Sequence, residues 1–191
     1  MAGTSNFTER QAKYFASLRE SLQTTTGKSL DEWVAIARTC PETKHRARLK
    51  WFKDQHGLLQ NRASIVLDAA FGAETSWTRP DDLIDALWVS PASREIYEAI
   101  DIHALGLAGA IRTARKGYTA WSRAFQFAAA RPVRDGSVWL GLALAPDFSL
   151  MLEAPKSEPW SERLKSRLQV SSTEAVDPIV SGLLRSAWET S

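Results

Sequence analysis

Cysteine is nearly absent. Cys40 is the only one in 191 residues, which excludes an internal disulfide and a thiolate-clustered zinc site. Histidine is almost as scarce, with three residues. His45 and His56 cannot share a metal if they lie on one helix, because eleven residues at about 1.5 Å each part them by roughly 16 Å. No apolar run approaches the roughly 18 residues of a bilayer span, and residues 1–8 show no basic-then-apolar leader. A cytoplasmic protein with no membrane partner is the expectation. The chain also lacks G-x-S-x-G, H-E-x-x-H and G-x-G-x-x-G. Thr26-Gly27-Lys28-Ser29 has the look of the end of a phosphate-binding loop, yet Leu22 stands where its first glycine belongs and a helix precedes it. Asp81, Asp82 and Asp85 read as acids favoured by the first turn of a helix rather than as cation ligands. No catalytic residue, metal or cofactor is expected.

What is present suits folding into one sizeable core or two small ones: 44% hydrophobic and 24% charged residues, with a formal charge of +2. That charge is unevenly placed. Up to Gly72 there are eleven Lys/Arg against seven Asp/Glu, and beyond it thirteen against fifteen. The basic excess is concentrated in Lys44, Arg46, Arg48, Lys50 and Lys53.

Residues 8–72 read as a helical module. Tyr14, Phe15, Leu18 and Leu22 form the apolar stripe of a first helix. Ser29 and Glu32 have the spacing of a capping box, followed by Leu30, Trp33, Val34 and Ala37 on a second. Pro41 closes that helix; a third runs from about Glu42 to Gly57, and a fourth from about Asn61 carries Ile65, Val66, Ala69 and Ala70. On the third, His45, Leu49, Phe52 and His56 share the stripe expected to face the core. Arg46, Lys50 and Lys53 form a second stripe, and Lys44, Arg48 and Trp51 belong to a third. These basic stripes could track phosphates; a solvated charged face is the plainer reading.

Residues 73–79 read as a linker, with Trp77 inside it. Residues 80–191 read as an α+β module. Pro80 opens a short helix, and Pro91, behind a capping Ser90, opens a longer one carrying Ile96, Tyr97 and Ile100. From Lys116 the period becomes two. The expected strands are Tyr118–Arg123, then a run with Phe125, Phe127 and Ala129 on one face, Val138 to Leu144, and less cleanly Leu150–Glu153 and Leu164–Val170. Short connections, with Arg134-Asp135-Gly136 as one turn, favour a mostly antiparallel sheet of four or five strands. A closing helix bears Val176, Val180, Leu183, Leu184 and Ala187; both Ser171 and Asp177-Pro178 could start it.

Arg115, Lys116, Tyr118, Trp121, Arg123 and Arg131 lie on or beside the first two of these strands. Lys116, Tyr118, Trp121 and Arg123 are the candidate site for an anionic ligand. Alternation turns Tyr118 away from Trp121 and Arg123, so at best the latter pair acts together, with Lys116 at the strand entrance.

Thr26-Gly27-Lys28-Ser29-Leu30, Trp33, Thr43-Lys44-His45, Trp51-Phe52-Lys53 and His56-Gly57-Leu58 together resemble the helical family catalogued as domain of unknown function 4287. Lys116, Tyr118, Arg123, Phe127-Ala128, the strands Val138 to Leu142 and Leu164 to Val170, and the helix ending at Trp188 resemble domain of unknown function 5655. The resemblance implies an uncharacterised bacterial protein in which the two are joined in this order, and it implies no activity. The expected role is a non-catalytic binding or adaptor function in which the basic third helix contacts nucleic acid or another polyanion. The competing expectations are a small anionic-ligand site or an enzyme in the second module, and a protein-interaction surface if Trp51, Trp77 and Trp160 are exposed together.

Overall fold

The computed structural model describes residues 8–72 and 80–191; the segment read as the linker, and Trp77 with it, lies outside the described residues. The chain forms two compact units, one holding the helices before Gly72 and the other the elements from Pro80 onward.

The first unit comprises α1 (Glu9–Thr26), α2 (Leu30–Arg38), α3 (His45–His56) and α4 (Gln60–Phe71). Helix α4 packs against each of the other three. The core joins Leu22, Trp33, Ala37, Phe52, Leu58, Ala63, Val66 and Leu67. Of the stripe on α1, Leu22 is buried and Phe15 and Leu18 half-buried, while Tyr14 is exposed and accepts a hydrogen bond from Asn61 Nδ2 at 3.0 Å.

The capping box is formed. Ser29 Oγ accepts from the Glu32 amide at 3.3 Å, and Glu32 Oε2 accepts from the Ser29 amide at 2.7 Å. These bonds hold the Glu32 carboxyl below its ordinary pKa. They also answer the resemblance to a phosphate loop: the amide and hydroxyl that a phosphate would use are already held by a carboxylate.

The second unit contains α5 (Pro80–Leu87), α6 (Pro91–Leu105), β1 (Ile111–Arg115), β2 (Tyr118–Ser122), β3 (Gln126–Pro132), β4 (Val138–Leu142), β5 (Ser166–Val170) and α7 (Ser181–Glu189). The strands form one antiparallel sheet in sequence order. A helical part followed by an α+β part is the fold class expected. Five details differ. Strand β1 is additional, whereas Leu150–Glu153 contributes only a single bridge between Glu153 and Arg167. A bulge at Trp121/Ser122 shifts the register of β2 on β3, so Phe127 joins the same core as Ala128 instead of sharing a face with Ala129. Ser90 makes no side-chain cap, and the Ser93 hydroxyl bonds to its carbonyl. Neither expected cap starts the last helix: Pro178 lies in a wide π-helical turn, Val176–Val180, that leads into α7.

Helices cover one face of the sheet. Trp121, Ala128, Ala130, Leu140 and Leu142 meet Ile96, Tyr97 and Ile100 of α6 and Leu184 of α7 there. On the other face, Ala120 and Ala129 pack with Trp160 and Leu164 from the segment before β5, and Tyr118 and Trp139 flank them half-buried. Gly141 makes this possible, because a Cβ there would lie 2.7 Å from Trp160 Cε2. With Trp160 buried, Trp51 half-buried and Trp77 outside the described residues, no exposed tryptophan patch forms among the described residues. None of their helices is long and apolar enough to cross a membrane.

Candidate functional site

The five cations expected to act together on α3 have different fates. Arg48 is engaged: its Nε donates to the Glu42 carbonyl at 2.8 Å and its guanidinium lies 3.7 Å from the Phe71 ring centroid. Lys50 pairs with Asp54, one turn on, at 2.5 Å. Lys44, Arg46 and Lys53 are exposed, and no carboxylate among the described residues pairs with them. Arg46 and Lys53 lie on one face, about 10 Å apart along the axis.

The start of α3 runs against helix electrostatics. Lys44 is its N-cap and gives no side-chain hydrogen bond, the first turn holds no acid, and Arg46 follows at once. The helix dipole makes such an end positive. Adding cations there disfavours the helix, and an anion would compensate both.

The far end of α3 is built differently. Gly57 takes the left-handed conformation at φ 64°, and the Gly57 and Leu58 amides return to the Lys53 and Phe52 carbonyls at 3.1 and 3.2 Å. The expected core stripe holds only in part: Phe52 is buried, His45 and Leu49 are half-buried and His56 is exposed. A histidine in the last turn lies where the helix is already ending, and His56 packs its ring edge-on to Trp51 and Trp33 at centroid distances of 4.6 and 5.8 Å. Trp33 also donates from Nε1 to Thr26 Oγ1 at 2.8 Å. The TGKSL, Trp and HGL segments of the sequence therefore meet around one indole, an arrangement that explains them as structure. Among the described residues no group of three or more His, Cys, Asp and Glu side chains is gathered in a way that could hold a metal ion.

The residues expected to form an anion site in the second unit are not brought together. Trp121 is fully buried on the helix-covered face, where its Nε1 donates to Asp101 Oδ1 at 2.7 Å. Arg123 is exposed beyond the end of β2, 4.4 Å from the Trp188 ring centroid. Lys116 sits in the exposed β1–β2 turn, and Tyr118 points to the opposite face of the sheet from Trp121. The face of β2 that carries Trp121 is the core face, so it offers no open site. The residue overlooked is Trp139, half-buried on the face of Tyr118. Its signal was present, since Val138, Leu140 and Leu142 inward require Trp139 outward.

Asp101 organises the covered face. Besides Trp121 it accepts from Arg112 Nη1 at 2.6 Å, and Arg112 Nη2 reaches Asp81 at 3.0 Å. Tyr97 stacks on Trp88 at 4.5 Å within this layer. Burial, then the negative charge of Asp101, push the Tyr97 hydroxyl up to about 12 against the opposing pull of Arg112. A raised folded-state pKa contributes stability that is present below the ordinary value of 10.0 and lost as pH rises through about 12. Absorbance titration should therefore show a tyrosine transition persisting above pH 11, and Tyr97→Phe should remove it. Complete ionisation before pH 11 in the folded protein would contradict this assignment.

Two grooves border the segment before β5, one of about 340 Å³ lined by Lys156, Glu158, Trp160, Glu162 and Lys165, the other of about 470 Å³ bounded by Ala143, Arg163 and Thr190. Neither contains any of the four ligand residues expected from the sequence.

Residues 14–70 match the domain of unknown function DUF4287, and residues 84–191 match the domain of unknown function DUF5655. No curated protein and no solved structure matches the chain. Since the second match spans more than half of its length, the chain belongs to the DUF5655 family and carries a DUF4287 domain ahead of that region.

Proposed function

We propose that the protein is a non-catalytic binding module that contacts nucleic acid or another polyanion through the exposed side of α3. The observation that carries this reading is the pair of unneutralised cations, Lys44 and Arg46, at a helix N-terminus that has no side-chain cap and no acid in its first turn. Lys53 extends the positive surface along the face of Arg46. Lys50 contributes less because Asp54 shares it. Such contacts address phosphate without reading bases, so binding should be strongly salt-dependent and weakly sequence-dependent.

Fluorescence anisotropy of a labelled duplex at low salt tests the reading. The Lys44→Ala, Arg46→Ala, Lys53→Ala triple variant should weaken binding at least tenfold, with Lys50→Ala nearer the parent. A second variant separates binding from folding. Lys44→Asp places a capping acid at the helix start and should stabilise the helical unit by about 1 kcal/mol while weakening duplex binding. Equal binding by parent and triple variant would reject the proposal.

A further inference from the structure

The face of the sheet away from the helices carries a row that runs through all five strands. Arg115 faces Tyr118 across β1 and β2, Arg131 faces Trp139 across β3 and β4, and Trp139 faces Gln169 across β4 and β5. Extending the Thr119–Ala130 pair by one residue sets Tyr118 beside Arg131. The order is thus Arg, Tyr, Arg, Trp, Gln, with neighbours about 4.8 Å apart. Lys116 adjoins the row in the exposed turn after Arg115.

The carboxylates beside this row are already engaged. Glu153 and Glu158 are both committed to Arg167, which lies 4.0 Å from the Trp139 ring centroid. Asp135 accepts from Ser137 and Gln169 at the edge of the row. No carboxylate among the described residues pairs with Arg131 or Lys116. Arg131 Nε is shielded from solvent and has no hydrogen-bond partner. Shielded donors of this kind are normally satisfied.

Interleaved arginines and aromatics on a sheet face combine what unpaired nucleotides require: rings against which bases stack, and cations for the backbone. A duplex buries its base faces and cannot use the rings. We infer that this face of the second unit binds single-stranded nucleic acid, with Tyr118 and Trp139 contacting bases and Arg131 and Lys116 the phosphates. The inference stands apart from the α3 reading, since it uses a different unit and a different form of nucleic acid.

The test is anisotropy of a fluorescein-labelled oligothymidine of about 12 nucleotides, titrated with the full chain carrying Lys44→Ala, Arg46→Ala and Lys53→Ala, so that α3 cannot account for the signal. Binding should persist in that background. Tyr118→Leu, which keeps apolar contact but removes the ring, and Lys116→Glu, in an exposed turn, should each weaken it about tenfold. Circular-dichroism melting should show the parent transition for both variants. Arg131→Ala should weaken binding further; because Arg131 is half-buried, the exposed Lys116 keeps the test decisive should that variant unfold. No oligothymidine binding in this background at low salt would overturn the inference, as would binding that Tyr118→Leu and Lys116→Glu leave unchanged. Loss of duplex binding with retained oligothymidine binding would leave both readings standing, each on its own surface.

Discussion

Asp101→Ala should destabilise the second unit by about 3 kcal/mol, because one carboxylate satisfies a fully buried indole N–H and a mostly buried guanidinium. Asp101 is 9% exposed, and its two oxygens accept from Trp121 Nε1 at 2.7 Å and Arg112 Nη1 at 2.6 Å. Truncation leaves a fully buried indole N–H without an acceptor. It also leaves Arg112, whose side chain is 28% exposed, with Asp81 as its remaining ion-pair partner. Asp101→Asn keeps an oxygen for Trp121 and removes the charge, so its cost should fall between that of the parent and the alanine variant. Urea denaturation with an unchanged m value would measure both. A cost for Asp101→Ala below about 0.5 kcal/mol, the range of ordinary surface substitutions, would show that this network does not bind α6 to the sheet.

Glu158→Ala should cost a similar amount, about 3 kcal/mol, on the opposite face. The side chains of Arg167 and Glu158 are 5% and 2% exposed, so removing the acid strands a buried guanidinium with only the more exposed Glu153 beside it. The penalty arises from the abandoned charge more than from the pair's net worth. The double replacement Glu158→Leu with Arg167→Met should therefore recover much of the loss, and a double-mutant cycle by chemical denaturation gives the coupling directly. If the double replacement is as unstable as the sum of the two singles, the pair contributes no coupling and the argument fails.

How legible these features are in the sequence depends on how local their causes are. Helix α2 is fully readable, since its capping box and its i, i+3, i+4 stripe lie within nine residues of one another. The left-handed Gly57 at the end of α3 is equally local. Strand β1 is not: Ile-Arg-Thr-Ala-Arg has weak strand character, and its pairing with β2 makes it a strand. Leu150–Glu153 alternates like a strand, yet only Glu153 reaches the sheet, so the pattern alone misleads. At Trp121/Ser122 one extra residue reverses the parity of the residues beyond it, and no composition rule announces the bulge.

The candidate sites divide in the same way. That Lys44, Arg46 and Lys53 are solvent-facing follows from helical period, but the loss of Arg48 to Phe71 depends on α4. Alternation separates Tyr118 from Trp121 in the sequence itself. Which side becomes core is decided by Asp101, twenty residues earlier on α6, and this long-range partner turns Trp121 from a ligand candidate into a buried anchor.

The most direct test of the central reading maps the contact on the molecule: amide chemical-shift changes of the isotope-labelled full chain as a short duplex is added at low salt. The account predicts that the largest changes fall on the first turn of α3, around Lys44 to Ala47, continue toward Lys53, and fade as salt is raised. Saturable changes confined to the second unit, with Lys44 to Lys53 unmoved, would contradict it.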